Sequence, residues 1–510
     1  MTFSFEINTH KTLRGISMSD IINWLNGYIW SPILVYLLLG IGLMYTIMTR
    51  FVQLRYFKEM IKLIFEGGGS KAGVNSFQSL ALSLGGRIGV GNVAGVATAI
   101  SLGGPGAVFW MWLAAFFGSA TSFVEITLTQ VYKRKIDGEY RGGTPFYIEN
   151  GLKLKWFATI SAILTLLVMG FLWPGVQANT VALAMQNSFG ISPTITGIFV
   201  VIFLGAIIFG GVKRIAKYSE IVVPFMASAY VIVCLIILTM NFAKIPSVIS
   251  LIFTSAFHLN ATFGGIIGAA IAWGVQRGVY ANGAGLGSET YESGCVEVSH
   301  PAKQGLVQAF SVYIDTFLIC TSTAFMILIT GMYDVKPEGM EPITNKLGDV
   351  APSLYTQLAL NSVFPKFGAD FLAIALLFFC FTTLTSYYYK AETTLAYLRQ
   401  NLKIKATWPN HILKVILLAT VMYGSVKTAA TVWAMGDLGT GALAWVNLTV
   451  IFLLTKTAVK VFKDYEMQKR AGKNPVFDPV KLGIKGADFW EKEYREMEQE
   501  LPKEKKSISM

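Results

Sequence analysis

The sequence predicts an all-α membrane protein with about eleven transmembrane helices, from its composition, its apolar runs and the placement of its charges. Hydrophobic residues make up 53% of the 510 residues and charged residues only 14%, with a mean hydropathy of +0.53. A soluble domain carries roughly 25% charged residues. The net charge of +12 is spread over short segments between apolar runs, so it does not indicate a surface for nucleic acid.

An apolar run of roughly 20 residues is long enough to cross the bilayer as a helix. Eleven runs meet this length, with boundaries good to a few residues: 30–49, 78–102, 106–131, 156–186, 193–212, 219–241, 262–284, 304–332, 368–397, 410–433 and 439–460. The second and seventh runs are the richest in glycine and the poorest in large apolar residues. These two runs are therefore the least suited to regular helix.

The segments between the runs alternate in charge. Basic residues follow the first, third, fifth and ninth runs: Arg50, Arg55, Lys58, Lys62, Lys71, Lys133, Arg134, Lys135, Arg141, Lys153, Lys155, Lys213, Arg214, Lys217, Arg399, Lys403 and Lys405. The opposite loops are nearly bare, with Lys244, Lys336, Lys346 and Lys366. The positive-inside rule then predicts a multi-pass inner-membrane protein with its N-terminus outside and its C-terminus in the cytoplasm.

An odd number of spans suggests how the chain is organised. Five crossings reverse the orientation of the next five, so ten spans fold naturally as two inverted repeats. We expect one transmembrane domain over residues 1–460, with an extra helix at 30–49, one repeat at 78–241 and another at 262–460. Residues 461–510, dense in Lys and Glu, are expected to form a charged cytoplasmic tail, either amphipathic or disordered. Each repeat begins with a glycine-rich run.

The first glycine-rich run should unwind within the membrane. Five glycines lie between Gly85 and Gly95, and each costs a helix interior about 1 kcal/mol relative to alanine. Unwound backbone is tolerated there only where it lines a cavity or is buried in protein. Its free amides can bind a carboxylate, and its free carbonyls can bind a hard cation such as sodium. The alternative is that small residues merely allow helices to pack closely.

The second glycine-rich run contains Trp-Gly-Val-Gln-Arg-Gly from Trp273 and Asn-Gly-Ala-Gly-Leu-Gly-Ser from Asn282. Interrupted segments at matching positions of two halves are the best sequence indication of a transporter binding site. Trp273 could close a pocket over a small side chain, or it could be an interfacial or packing residue. Asn282 could bridge ligand and backbone, or it could cap the second half-helix.

The glycine-rich runs carry a family resemblance. Ile88–Trp112, which reads IGVGNVAGVATAISLGGPGAVFWMW, resembles the signature of the alanine or glycine:cation symporter family. Further matches follow in the family's order, at 142–152, 273–278, 282–288 and 300–306, and together they cover most of the chain from about 70 to 400. The resemblance implies an APC/LeuT-like core of five plus five inverted helices. It also implies sodium-coupled symport of alanine or glycine into the cell by alternating access.

The resemblance also implies roles for individual residues. For the substrate it implies the amides of Gly89 and Gly91, with Val90 and Asn92 beside them, and it implies that Gln177 and Trp273 face the ligand; Asn282 is a further candidate. For sodium it implies the carbonyls of Gly85 and Ile88 and the hydroxyls of Thr382 and Thr383. Two alternatives stay open: Gln177 could form a helix–helix hydrogen bond, and the threonines could bond back to the preceding turn.

Among the ionisable residues inside the predicted spans, where a lone charge costs several kcal/mol, four are functional candidates: Arg87, Glu125, Arg277 and Asp315. We expect gating or structural roles for them, with Asp315 paired to Arg87 or Arg277. Three features differ from the family's usual pattern, and each bears on substrate choice or gating: Arg87, Gly283 in place of a frequent glutamate, and the segment starting at Glu289.

Other function classes find little support in the sequence. No catalytic triad, P-loop or zinc motif is present, and the four cysteines accompany no CxxC or histidine cluster, so neither an enzyme nor a cofactor beyond the coupling sodium is expected. A channel would require a filter motif or a ring of acidic residues. The expected partners are a small neutral amino acid, sodium and the lipid bilayer. The alternative within transport is another neutral amino acid such as glutamine, or proton coupling.

Overall fold

The computed structural model describes residues 18–66, 73–210, 212–257, 263 and 266–500. The chain is mostly helical, with 77% of its residues in helices. Two short strands, β1 (Arg134–Ile136) and β2 (Glu139–Arg141), form an antiparallel hairpin in which Arg134 faces Arg141. The helical architecture agrees with the all-α membrane class predicted from the sequence.

The helices follow one another with short connections. In chain order they are α1 (Met18–Ile29), α2 (Pro32–Met48), α3 (Val52–Arg55), α4 (Phe57–Ile64), α5 (Ser76–Arg87), α6 (Ala94–Gly103), α7 (Ala107–Val131), α8 (Thr144–Tyr147), α9 (Lys155–Leu167), α10 (Pro174–Phe189), α11 (Pro193–Ile208), α12 (Val212–Met240), α13 (Ile245–Ala256), α14 (Ile267–Asn282), α15 (Thr290–Gly294), α16 (Pro301–Val312), α17 (Thr321–Thr330), α18 (Tyr355–Val363), α19 (Phe367–Asn401), α20 (Trp408–Val426), α21 (Ala429–Leu453), α22 (Thr455–Arg470), α23 (Asp488–Glu491) and α24 (Glu493–Glu500). Wider π-helical turns at Ile148–Leu152, Val168–Leu172 and Tyr313–Cys320 and 3₁₀ turns at Val90–Asn92, Phe242–Lys244 and Pro352–Leu354 join several of them.

Among the described residues, six helical segments are long and apolar enough to cross a membrane, or up to eight spans if each bent pair counts as one. The sequence predicted eleven. Two of the predicted spans correspond to α11 and α14, which have 16 residues each. At 1.5 Å per residue such a helix is about 24 Å long, shorter than a bilayer core of about 30 Å. Length and composition alone therefore identify a smaller number of spans.

The predicted boundaries of the last two spans are wrong. The runs 410–433 and 439–460 place the connection near residue 436, whereas α20 ends at Val426 and α21 begins at Ala429. Thr428 caps α21, and its side chain accepts a hydrogen bond from the backbone N–H of Thr431. Hydropathy does not detect such a cap, because the residues that follow it are as apolar as those that precede it.

The segment after residue 460 is not a free extension within the described part of the chain. It continues α22 and then packs against the hairpin and α7, with Phe477, Phe489 and Trp490 each at most 3% exposed. The indole of Trp490 donates to the carbonyl of Gln130 at 2.8 Å. The sequence analysis considered only the high content of Lys and Glu in this segment, so it did not predict that these aromatic residues are buried.

Both glycine-rich runs are interrupted. The first divides into α5 and α6, which are joined through the turn Val90–Asn92 and bent by 59°. The second ends α14 at Asn282, and Gly283 then adopts a left-handed conformation with φ +67°. The chain turns through residues 284–289 before α15 begins. We refer to residues 88–93 as the first break and to residues 283–289 as the second break.

Candidate functional site

The first break exposes consecutive backbone amides. The N–H of Gly89 donates to Asn92 Oδ1 at 3.0 Å, and the N–H of Val90 donates to Gln177 Oε1 at 3.1 Å. A Cβ atom at Gly89 would lie only 2.7 Å from Thr383 Oγ1 and 3.0 Å from Gln177 Oε1, so this backbone position leaves no room for a side chain. The amides thus meet neutral side-chain oxygens, which a ligand carboxylate could replace.

Backbone carbonyls of the same segment face α19. Thr383 Oγ1 lies 2.9 Å from the carbonyl oxygen of Gly85 and 3.5 Å from that of Ile88. These three oxygens form a small cluster of the kind that a hard cation prefers. The neighbouring Thr382 instead donates within its own helix, to the carbonyl of Phe379 at 3.0 Å. The structure therefore brings three of the four predicted sodium ligands together and leaves Thr382 outside the cluster.

A small buried cavity lies between the two breaks. It is lined by Gly86, Arg87, Gly91, Trp173, Gln177, Tyr280, Ala281, Gly283, Ser288, Glu289 and Tyr387. Its volume is about 10 Å³, room for a single water molecule. The rings of Trp173 and Tyr387 are 5.2 Å apart, and Gln177 Nε2 donates to the hydroxyl of Tyr387 at 3.2 Å. An amino acid would fit here only after Gln177 and its neighbours move.

Trp273, predicted to close the pocket, does not line this cavity. It lies on the same face of α14 as Tyr280 but seven residues earlier, which is about 10 Å along the helix. Its ring instead stacks on the guanidinium of Arg277 at 5.0 Å. The aromatic wall of the cavity comes from Trp173, Tyr280 and Tyr387, which the sequence analysis did not select.

Asn282 ends α14 rather than facing the cavity. Its Oδ1 accepts from the backbone N–H of Ala284 at 3.0 Å, and its Nδ2 donates to Thr316 Oγ1 at 3.2 Å. These contacts stabilise the turn that follows the first half-helix, and they are not the expected cap on the second half-helix, because α15 begins only at Thr290. Thr316 in turn donates to Asp315 Oδ2, so the π-helical turn Tyr313–Cys320 contacts the end of α14, next to the second break.

The predicted pairing of Asp315 with an arginine is wrong. Asp315 Oδ1 accepts from Asn92 Nδ2 at 2.6 Å, which ties the first break to the same π-helical turn. Arg277 instead forms a two-pronged ion pair with Asp437 of α21, at 2.6 and 2.9 Å. The planar guanidinium matches both oxygens of a carboxylate, and Asp437 lies close enough to offer both.

A second group of buried charges lies beside the second break. Lys390 Nζ is 3.0 Å from Glu289 Oε1 and 3.3 Å from Glu292 Oε1, and all three side chains are at most 2% exposed. Arg87 joins them, with its Nε 3.9 Å from Glu289 Oε2. The remaining nitrogens of Arg87 donate to Ser311, Ser122 and the carbonyl of Gln308. We call Arg87, Glu289, Glu292 and Lys390 the inner charge cluster.

Glu125 fixes the second break from the other side. Its Oε2 accepts from Asn447 Nδ2 at 2.8 Å and from the backbone N–H of Gly287 at 3.3 Å. Asn447 Nδ2 also donates to the carbonyl of Gly285 at 2.9 Å. Glu125 is fully buried, so these hydrogen bonds replace the ones that its carboxyl group would form with water.

Comparison with known proteins identifies the family of this chain. Residues 16–479 match the model of the sodium:alanine symporter family. The chain belongs to the sodium:alanine symporter family. YrbD of Bacillus subtilis strain 168, named as a candidate sodium/proton-dependent alanine carrier, is 56% identical over 94% of this chain and 98% of its own length. The sodium/proton-dependent alanine carrier protein of Bacillus sp. strain PS3 is 52% identical over 87% and 100%. A B. subtilis protein named as a probable sodium/glutamine symporter, GlnT, is 40% identical over 93% and 96%.

Membership in the sodium:alanine symporter family makes this protein a multi-pass membrane transporter rather than an enzyme. The family match includes both breaks, the cavity between them and the inner charge cluster. The family description names sodium as the coupling ion.

Sequence reasoning on this symporter missed the residues whose importance depends on tertiary contacts. Trp173 precedes Pro174 in the same segment as Gln177, and Tyr280 lies within the second glycine-rich run, so proximity could have indicated both. Tyr387 follows Thr383 by one helical turn on the same face of α19. Lys390 had no such indication, since nothing in its surroundings predicts a carboxylate about 100 residues earlier as its partner.

Proposed function

We propose that this symporter carries alanine or glycine into the cell together with sodium, by alternating access around the cavity between the two breaks. One observation supports this more than any other. The carbonyl of Gly85, in the last turn of α5, the carbonyl of Ile88 and the amides of Gly89 and Val90 follow one another where the helix ends. A single backbone segment can therefore hold a carboxylate on one side and a cation on the other.

The proposed architecture is an APC/LeuT-like core of ten spans in two inverted repeats, preceded by one additional helix. On this proposal residues 1–460 form one transmembrane domain, with α2 as the extra helix, and eleven spans cross the inner membrane. The basic loops favour a cytoplasmic C-terminus and an external N-terminus. Short or bent helices such as α11, α14 and the pair α5–α6 count as spans in this arrangement because interrupted helices are typical of transporter binding sites.

The substrate carboxylate would take the places of Asn92 Oδ1 and Gln177 Oε1 at the first break. Both are neutral acceptors, and a charged acceptor forms stronger hydrogen bonds with the same amides. Gln177 would then be free to contact the ligand by its amide group. The rings of Trp173, Tyr280 and Tyr387 bound the remaining space, which favours a side chain as small as a methyl group.

Sodium would bind the carbonyls of Gly85 and Ile88 and the hydroxyl of Thr383. In the absence of a cation, the hydroxyl hydrogen of Thr383 points toward the Gly85 carbonyl at 2.9 Å. With sodium bound, the hydroxyl would turn and offer its lone pair instead. The ion would thereby join α5 to α19 and favour the conformation in which the first break is formed.

Two alternatives concern the substrate and the coupling ion. Glutamine is the substrate that the name of the relative GlnT gives, and a larger side chain would require the aromatic wall to open further. Protons are favoured as a second coupling ion by the names of the two more similar relatives. The buried charges agree with a cation, because four carboxylates, Glu125, Glu289, Glu292 and Asp315, lie near only two cations, Arg87 and Lys390, among the described residues.

The test is uptake of labelled alanine, glycine and glutamine into proteoliposomes, with an inward sodium gradient, an inward proton gradient or neither. We expect sodium-dependent accumulation of alanine or glycine, and competition of each by the other. Accumulation of glutamine in preference to alanine would contradict alanine or glycine as the substrate and would indicate glutamine instead. Accumulation that is driven by a proton gradient alone, with no effect of sodium, would contradict the sodium assignment.

A further inference from the structure

The second break places a carboxylate in the wall of the cavity. Glu289 lines the cavity, and its side chain is 2% exposed. The left-handed turn at Gly283 makes room for it, because a Cβ atom there would lie 2.9 Å from Glu289 Oε1. A side chain at position 283 would thus compete with the Glu289 carboxylate for the same space.

The two oxygens of this carboxylate differ in their contacts. Oε1 accepts hydrogen bonds from Lys390 Nζ and from Ser288 Oγ, each at 3.0 Å. Oε2 has no hydrogen-bond partner among the described residues, and Arg87 Nε, 3.9 Å away, has none either. A buried carboxylate oxygen without a donor is unfavourable. The cavity wall therefore contains a carboxylate oxygen that accepts no hydrogen bond and lies 3.9 Å from the Arg87 guanidinium.

The surrounding charges favour a cation at this position. The two cations that face Glu289 are Lys390 of α19 and Arg87 of α5. The acidic side chains nearby are Glu292 of α15, Asp315 of the π-helical turn and Glu125 of α7, so with Glu289 four acidic groups lie near two basic ones among the described residues. Arg87 also forms hydrogen bonds with Ser311, Ser122 and the carbonyl of Gln308, and these keep its guanidinium 3.9 Å from Glu289 Oε2.

We propose that Glu289 binds the ammonium group of the transported amino acid through Oε2, opposite the backbone amides that hold its carboxylate. This inference rests on the proposed function. In this proposal the first break binds the carboxylate of the amino acid, and the second break binds its ammonium group. The substrate class is then α-amino acids with a free, charged ammonium, and a 2-hydroxy acid of the same shape is excluded.

The experiment compares ligands that differ only at this group. Binding of labelled alanine to the purified full-length protein in saturating sodium is competed by alanine, by N-methylalanine, which keeps the positive charge, and by lactate and N-acetylalanine, which lack it. In the wild type we expect N-methylalanine to compete and both uncharged-nitrogen analogues to be roughly a hundredfold weaker than alanine. Equal competition by lactate or N-acetylalanine would overturn the proposal without any variant.

The variant Glu289→Gln then tests the residue. It keeps the size of the side chain and removes its charge, so alanine affinity should fall about tenfold or more while lactate affinity stays the same. The ratio between alanine and lactate should therefore shrink. A folded Glu289→Gln protein that retains the wild-type ratio would overturn the assignment.

Two variants control for indirect effects. Glu292→Gln removes a carboxylate from the same lysine but does not line the cavity, so it should lower the ratio between alanine and lactate less than Glu289→Gln does. Glu392→Gln removes the buried partner of Arg141 outside the cavity, 2.5 Å from its guanidinium, and should leave the ratio unchanged. A ratio that falls equally in Glu292→Gln would assign the effect to the cluster as a whole and overturn a direct contact by Glu289. Failure of the wild type to take up alanine with sodium would instead refute the proposed function.

Discussion

The two breaks solve the same backbone problem in different ways. At the first break the free amides are bonded to the neutral side chains of Asn92 and Gln177. At the second break three glycines with positive φ turn the chain, and the buried carboxylate of Glu125 holds the amide of Gly287. A charged ligand can replace neutral acceptors, whereas a buried carboxyl group that loses its amide donors is left without hydrogen-bond partners, which is costly. We infer that the first break exchanges partners during transport and that the second keeps its shape.

The two breaks are nevertheless connected. Asn92 of the first donates to Asp315, and Asn282 at the end of α14 donates to the adjacent Thr316. Both contacts are made by neighbouring side chains of one π-helical turn. We therefore expect a rearrangement of the first break to shift the end of α14, and with it the second break. π-Helical turns often occur at functional positions, where they place side chains that a regular helix would direct elsewhere.

The largest effect is expected from Gly89→Val, which fills the first break. The added side chain would collide with Thr383 Oγ1 and Gln177 Oε1, which lie 2.7 and 3.0 Å from the Cβ position. Sodium-driven alanine uptake into proteoliposomes should fall by about a hundredfold or more, because both the amides and the sodium cluster are displaced.

The matched control is Gly95→Ala in α6. There the nearest atoms to an added Cβ, from Arg277 and Trp433, are 3.8 Å away, which is ordinary contact. Uptake by this variant should stay within about twofold of the wild type, helped by the better helix propensity of alanine. Wild-type alanine affinity in Gly89→Val would refute an exchangeable first break.

A smaller effect is expected from the two threonines of α19, and the structure predicts that they differ. Thr383→Ala removes the hydroxyl that lies 2.9 Å from the Gly85 carbonyl, so the sodium concentration for half-maximal uptake should rise about tenfold. Thr382→Ala removes bonds to the carbonyls of its own helix and a weak contact with Met226 Sδ at 3.9 Å, and should change this concentration less than about twofold. The measurement is the sodium activation curve of alanine uptake; equal shifts in both variants would contradict the cluster described above.

The position of the first break could be predicted from the sequence because its cause is local. Five glycines within eleven residues are unfavourable in a helix whatever surrounds them, and the interruption falls at Ile88 and Gly89 within that run. The proximity of Thr383 to Gly85, and of Gln177 to Val90, was expected only through the family resemblance. Their roles in binding stay predictions.

The contacts of the charged residues could not be predicted in the same way. Arg277 finds Asp437 at a separation of 160 residues, and Lys390 finds Glu289 at a separation of 101. Such pairings follow from how the helices pack, and a single sequence carries no record of that packing. The error with Asp315 has this origin, since charge alone suggested an arginine where the fold supplies the amide of Asn92. Trp273 illustrates a related difficulty. It lies on the face of α14 that carries Tyr280, but seven residues earlier along the helix, where its ring contacts Arg277 and does not line the cavity.

The smallest effect, and the sharpest test of a second break that keeps its shape, is expected from Asn282→Ala. This variant removes the bond to the Ala284 amide and the bond to Thr316 Oγ1, which are both structural in the description above. Loss of two buried side-chain hydrogen bonds costs about 1 to 2 kcal/mol, so the midpoint of thermal unfolding in detergent should fall by about one to two degrees in a chain of 510 residues. Alanine affinity should change by less than about threefold, because the side chain does not line the cavity.

Asn187→Ala offers a comparison for Asn282→Ala at an exposed site away from both breaks. Asn187 Nδ2 donates to Gln357 Oε1 at 2.9 Å, so its loss also removes a side-chain hydrogen bond. We expect a smaller decrease in the unfolding midpoint, since the remaining groups near the surface can bond to water. If Asn282→Ala instead lowers alanine affinity about tenfold with an unchanged midpoint, Asn282 contacts the substrate and the second break exchanges partners as the first one does. The difference between the two breaks would then lie in their charge alone.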